Sequence, residues 1–372
     1  MKKRGLEAIA TLMGTVVGAG IFGIPYVVAK AGFLTGLMNI ILIAGLVLIM
    51  KLYLGEVVLR TKGNHQLTGY AGKYLGKSGK RIMTFVMMFG IYGALLAYLI
   101  GEGRAFSAIF GGSAFLYSLL FFIFVTILIF IGLKVIKAYE LYMIMVVIVI
   151  VFLISLFSFK QINLDNLTGF NLGDIFLPYG VVLFAFLGSV AVPEMKEILE
   201  EDKKKLKKCI IIGSLLVLVV YLVFTFFVVA VTGFDTTEIA TLGLGKVLGK
   251  KMLIVGNLFA VFAMATSFLT LGLAMKEMYN YDYGFSKNLS WFLTCSVPFG
   301  LFLLGFQNFI KTIGYVGSIA GGIEGMLIVF MAWRAVKMGD RKPEYSIVKG
   351  RLIGVILIAV FILGIVYQLL NV

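Results

Sequence analysis

In this 372-residue chain the groups equipped for chemistry lie inside long apolar runs. In Ala263-Met264-Ala265-Thr266-Ser267, the residues Ala263, Thr266 and Ser267 share one face at helical spacing. Two hydroxyls and a carbonyl suit a hard cation, although Thr and Ser in a helix also bond back to their own backbone. Glu324, within Gly321-Gly322-Ile323-Glu324-Gly325, falls near the middle of another run. A carboxyl at that depth in a membrane is costly and marks function by default. It can carry a coupled proton, or stand as a structural pair or hydrogen-bonded neutral acid. The backbone itself is the third candidate. Gly14-Thr15-Val16-Val17-Gly18-Ala19-Gly20-Ile21-Phe22-Gly23, followed by Pro25, can unwind in mid-run, and so can Gly188-Ser189 ahead of Pro193-Glu194. Freed N–H groups at a half-helix N-terminus attract an anion such as a carboxylate, and freed carbonyls attract an ammonium or a metal cation. Glycines also allow close packing of helices, yet two breaks in corresponding places point to a binding site.

The elements that must position these groups are membrane helices. Hydrophobic residues make up 61% of the chain and charged residues only 14%, against about 25% in soluble domains. Mean hydropathy is +1.05. This excludes a soluble or disordered protein. The apolar residues run in blocks of roughly 20 rather than alternating, which excludes a β-barrel. Eleven spans are expected, at 6–30, 33–59, 82–107, 113–133, 139–159, 172–199, 207–232, 252–279, 288–306, 309–334 and 352–370. The basic start Met1-Lys2-Lys3-Arg4 imitates a signal peptide, but the apolar stretch is too long and no Ala-x-Ala site follows, so it reads as the first span. The formal charge of +15 would suggest a nucleic-acid partner in a soluble protein. Here 25 of the 33 Lys and Arg fall in alternate loops and 7 in the others. The positive-inside rule then puts the N-terminus in the cytoplasm and the C-terminus outside. The expected architecture is one all-α membrane domain whose partners are the bilayer and a small molecule.

Other motifs carry less. Gly18-Ala19-Gly20-Ile21-Phe22-Gly23 spells a dinucleotide fingerprint without its strand or acidic partner, and Ala71–Ser78 resembles a P-loop without an NTPase domain. His65 has no His/Cys cluster around it, and Cys209 and Cys295 read as unpaired packing residues. Lys51 and Glu56 are expected to snorkel or pair at the inner end of span two. Glu102 and Arg104 are expected near the outer surface, in water, and Glu194 at the start of the inner half of span six, where negative charge suits a helix N-terminus.

The breaks lie near 20 and 188, five spans apart. Because five is odd, the second set of five enters from the opposite face, giving an inverted repeat of about 6–159 against 172–334, with an extra helix at 352–370. Gly14-x-x-Val17-Gly18-x-Gly20, Phe184-Ala185-Phe186-x-Gly188 with Pro193-Glu194, and Leu54-Gly55-Glu56 resemble the amino acid–polyamine–organocation superfamily with its LeuT-type fold, most of all the amino acid permeases that include aromatic amino acid transporters. The resemblance covers almost the whole chain. It implies that the N–H groups of Ala19, Gly20 and Ile21, with Thr15 nearby, hold a substrate carboxylate. The carbonyls of Phe184, Ala185 and Leu187 hold its ammonium, and Tyr92 or Tyr98 with Phe184 or Phe186 wall the side-chain pocket. It implies a sodium site from Gly14, Val17, Ala263, Thr266 and Ser267; the family's other sodium site needs Asn where Ile21 stands. Span five has no lysine of the kind that replaces sodium in some proton-coupled relatives. The implied activity is symport of a neutral amino acid, aromatic or aliphatic, with sodium or a proton and no cofactor. A sensor that binds without net transport and an exchanger are the alternatives. An enzyme, a channel and an ATP-driven pump are disfavoured.

Overall fold

In the computed structural model, residues 3–132, 140–348 and 351–371 are described. The ends of the expected fourth and fifth spans at 133 and 139 lie outside them, as do Lys134, Lys137 and Lys349. All regular structure among the described residues is helical. The helices are α1 (Lys3–Val16), α2 (Gly20–Ala31), α3 (Phe33–Arg60), α4 (Leu67–Phe110), α5 (Ala114–Ile131), α6 (Glu140–Ser158), α7 (Tyr179–Phe186) and α8 (Ala191–Ile198). There follow α9 (Leu206–Thr232), α10 (Ala240–Leu248), α11 (Lys250–Glu277), α12 (Lys287–Leu303), α13 (Phe309–Tyr315), α14 (Gly322–Met338) and α15 (Leu352–Leu370).

Eight helical stretches are each long and apolar enough to cross a membrane, and α1 with α2 form a ninth, bent by 58°. The sixth expected span is not continuous. Residues 172–178 form only a short turn, and the rest divides into the 8-residue helices α7 and α8. The ninth is the 17-residue α12. Three further departures have local causes. α4 begins at Leu67, so the basic segment expected as a loop is helical, and Gly76 at φ +75° breaks it from the membrane part. α10 fills the connection between α9 and α11. Span ten carries a π-helical segment, Val316–Gly321, between α13 and α14, in a run whose glycines allow the widened turn.

Burial sorts the helices. The 309–338 stretch is the most enclosed, with 67% of its most apolar window buried, whereas α15 has 22% and α5 28%. On α5, Phe124, Ile127 and Ile131 are exposed, as apolar side chains facing lipid would be. Inside this ring, α1 packs on α8 and α9, α2 on α7 and α9, and α7 on the π segment and α3. α4 lies along α11 and α5.

A strap, residues 339–348, ties the end of span ten to the end of span two. Glu56 on α3, 1% exposed, accepts from Arg60 (2.8 Å), Ser346 Oγ (2.8 Å) and the N–H groups of Ile347 (2.7 Å) and Val348 (3.1 Å). Tyr345 Oη donates to the Leu52 carbonyl at 2.7 Å. Burial, then the charge of Glu56, push that phenol well above its ordinary range, which keeps it a donor. Asp340 meets Lys73 and the N–H of Lys62. Those contacts hold its carboxyl below the ordinary 3.8. The Leu54-Gly55-Glu56 motif thus acts here: a Cβ on Gly55 would occupy the position of Tyr345 Oη.

Candidate substrate site at the two helix breaks

Span one stops being helical at Val17, whose N–H makes the last bond of α1, to Met13 (2.8 Å). The next bond in the chain is Phe22 N–H to the Ala19 carbonyl (3.1 Å). Among the described residues the N–H groups of Gly18, Ala19, Gly20 and Ile21 find no backbone acceptor. These are the orphan donors of a helix start, at the positive end of the α2 dipole.

Span six stops at Leu187, whose N–H returns to Leu183 (3.0 Å) and Phe184 (3.3 Å). Gly188 then takes φ +132°, and α8 is started by bonds from Ala191 to Gly188 (3.1 Å) and from Val192 to Ser189 (3.0 Å). The carbonyls of Phe186 and Leu187 accept no hydrogen bond among the described residues. A cluster of orphan acceptors therefore sits at the negative end of α7.

Glycine brings the two ends together. A Cβ on Gly20 would stand 2.5 Å from Ala185 Cα, so α2 meets α7 backbone to backbone. Tyr221 of α9 ties the same place: its hydroxyl lies 3.0 Å from the Val16 carbonyl and 3.0 Å from the Ala185 carbonyl. The Phe186 ring packs edge-on against it at 5.0 Å. Tyr221 was not singled out in the sequence; the signal was a phenol in the middle of the apolar run of α9.

The other expected residues divide. Gly18 faces Tyr98 and Ser267, each with its hydroxyl 3.1 Å from where a Gly18 Cβ would be, and the two hydroxyls bond each other. Tyr92 is placed elsewhere. Its hydroxyl bonds Tyr279 Oη (2.6 Å) and the Leu293 carbonyl (3.1 Å), in the layer of α11 and α12. Phe184 is half-buried against Val86, Val316 and Ala320, and Leu187 packs on Gly321, so both look towards span ten. Thr15 donates to its own helix at Thr11 (2.8 Å). Thr266 does likewise, to Phe262 (2.8 Å) and Ala263 (3.1 Å), which leaves the oxygen lone pairs unused. Val17 ends α1 with its carbonyl outside the helical pattern, while Gly14 remains within α1.

Two charges expected at the membrane surface are buried. Lys51 is 1% exposed, and its charge faces Glu324. The Glu324 carboxyl also lies beside Ser189, in the second break, but among the described residues neither its Oε1 nor Ser189 Oγ has a hydrogen-bond partner of good geometry. Glu102 is 0% exposed rather than in water. Arg104 leaves it and pairs with Glu238 and the Gln307 carbonyl.

An oppositely polarised pair of helix ends, held in contact at mid-span, matches a zwitterion. The model of the tryptophan/tyrosine permease family matches residues 1–368. The chain belongs to this family. The permease is 26% identical to the tyrosine-specific transport system 1 of Haemophilus influenzae, over 95% of this chain and 92% of that one. It is 25% identical to glutamine transporter 2 of Aliivibrio fischeri, over 83% of each chain. With the tryptophan-specific transport protein of Shigella flexneri it shares 23%, over 93% and 90%. Among solved structures, MhsT in complex with L-phenylalanine superposes with a TM-score of 0.70 over 98% of each chain at 13% identity, which shows the LeuT-type fold. The permease is thus an integral membrane transporter and not an enzyme.

Proposed function

We propose that the permease imports a neutral amino acid by alternating access, with the N-terminus cytoplasmic and the C-terminus outside. The observation that carries this is the meeting of Gly20 with Ala185, which sets the free N–H groups of α2 against the free carbonyls at the end of α7. The substrate carboxylate sits on Ala19, Gly20 and Ile21. Its ammonium sits on the carbonyls at 184–187. The residues of the breaks themselves, 17–19 and 187–190, are uncharged, which suits an uncharged side chain, and Tyr98, Phe184 and Phe186 offer aromatic surface. Relatives named for tyrosine, tryptophan and glutamine agree with this class.

Coupling to an ion drives accumulation. A sodium ion would use carbonyls of Gly14, Val17 and Ala263 with the oxygens of Thr266 and Ser267. A proton would use Glu324, whose carboxyl lies beside Ser189 of the second break and faces Lys51. Uptake of a panel of labelled amino acids into proteoliposomes, with sodium and pH varied separately, tests the reading. Accumulation of at least one neutral amino acid is expected; none under either gradient would sink it. If sodium drives uptake, Thr266→Ala with Ser267→Ala abolishes the dependence.

A further inference from the structure

Glu102 lies on the last third of the membrane helix α4, is 0% exposed, and among the described residues has no hydrogen-bond partner on either carboxyl oxygen. A buried ionised carboxylate without a counter-ion costs several kcal/mol, and a protonated one left without an acceptor wastes its donor. Buried polar groups in folded proteins are nearly always satisfied, so an orphan acid needs a reason.

Its position supplies one. Glu102 follows Tyr98 by four residues and lies on the same face of α4, about 6 Å further along the helix. Tyr98 is beside Ser267, and a Cβ on Gly101 would run into Met264. These two pairings fix an antiparallel register between α4 and α11 that brings Glu102 to the level of Ala263, one turn beyond Ser267. The acid therefore stands one helical turn outside the break in span one, on the side that leads to the external solution. The absence of Cβ atoms at Gly101 and Gly103, where Met264 of α11 and Ser118 of α5 press in, draws those helices over it.

Among the described residues no neighbouring charge neutralises it. On α4, Arg104 is committed to Glu238. On α5, Tyr117 stacks with Phe106, and Ser118 donates to the Leu99 carbonyl. On α11, Lys276 bonds the carbonyls of Ile129 and Phe130 at the opposite end. Phe309 of α13 closes over Gly101, while Lys311 on that helix is exposed. Cys295 on α12 and Glu324 on α14 are electrostatically tied to Lys276 and Lys51 rather than to Glu102.

We propose that Glu102 is a second acid of the transport cycle: it takes a proton from the external solution when the outer side opens and gives it up on the inner path. This inference rests on the proton-coupled form of the function proposed above. Each cycle binds one proton at the Glu102 carboxylate and releases that proton unchanged, so no co-reactant is needed. Glu324, beside Ser189 at the second break and facing Lys51, then serves the inner half of the path.

Proteoliposomes carrying wild type, Glu102→Gln or Glu324→Gln test it through two measurements: amino-acid counterflow without a gradient, and accumulation under an inward proton gradient with an internal pH dye. Glu102→Gln is expected to keep counterflow within about twofold and lose tenfold or more of the gradient-driven accumulation together with the dye signal. Wild-type accumulation and dye response in Glu102→Gln would overturn the assignment of Glu102 alone. Wild type showing counterflow but no response to the proton gradient would overturn the proton-coupled reading, and this inference with it. Should Glu102→Gln not fold, Glu102→Asp decides: it keeps an acid, and is expected to retain the dye signal with a shifted pH dependence. An unshifted dependence would count against the proposal. Infrared difference spectra of the Glu324→Gln variant should still show a carboxylic-acid C=O band that responds to substrate, and its absence would also overturn it.

Discussion

At the first break Gly20 lies in ordinary helical backbone and is glycine because Ala185 leaves no room for a Cβ. At the second, Gly188 takes φ +132°, a conformation L-residues rarely adopt, and Val16 Cγ2 would stand 2.5 Å from its Cβ as well. The first glycine answers to a neighbour and the second to its own backbone. The breaks thus look alike in sequence and rest on different physics. The N–H cradle of α2 is set by how closely two helices approach. The carbonyl cluster of α7 is set by a local turn that would survive some loosening of the packing.

The comparison can be broken by substitution. The largest effect is expected from Gly20→Ala. The methyl must push α2 from α7, and a displacement of about 1 Å in a positioned site costs on the order of 100-fold in activity. Gly20→Ala should therefore lose about that much amino-acid uptake, and adding Ala185→Gly should recover little of it, because the Ala185 Cα stays 2.5 Å from the new Cβ. Full recovery would mean that the Ala185 methyl, and not the backbone of α7, sets the approach of the two helices. Gly188→Ala should lower stability by about 1–3 kcal/mol, the usual cost of a residue held in a sparsely populated conformation. Adding Val16→Ala should restore little of the melting temperature, and full restoration would move Gly188 into the same class as Gly20.

Tyr221→Phe sharpens the link between the breaks. It removes one O–H that lies within reach of two carbonyls, Val16 and Ala185, and should cost about 1 kcal/mol in thermal unfolding. No change in melting would show that the breaks are held by packing alone. The smallest effect is expected away from both, at Asp340→Asn on the exposed strap. The folded carboxyl ionises below its ordinary 3.8, so its contribution is complete above that value and disappears as the pH falls through the lower folded value. The melting difference from wild type should be constant from neutral pH down towards 3.8 and close only below it.

Much of this was readable beforehand. The apolar runs announced the helices, and Gly18, Gly20 and Gly188 announced the breaks, because helix periodicity and backbone freedom are local properties. The misplaced residues are those decided by neighbours from distant parts of the chain. Glu102 looked close enough to the end of its span to reach water, but α5 and α11 close over it. Tyr92 and Tyr98 were equivalent candidates until the register of α4 against α11 separated them. Thr266 satisfies its hydroxyl locally, as its type allows. The π segment at Val316–Gly321 had a glycine signal, yet glycines equally fit close packing, and a Cβ on Gly317 would meet the Gly180 carbonyl.

The strap that ends on Glu56 has a consequence for how the last helix finds its place. α15 has the smallest buried share among the span candidates and follows the strap directly. With so little surface to recognise the bundle, its address comes from the leash: four hydrogen bonds from the strap to Leu52 and Glu56 near the end of α3 fix where the chain starts its final crossing. Position and adhesion are thereby divided between two segments. The lipid face of the final span, where Ile356, Leu363 and Val366 are exposed, is free to change or to take a foreign partner without disturbing the breaks, whereas Gly364, packed on Tyr179 of α7, is not, and the knot at Glu56 must stay tied.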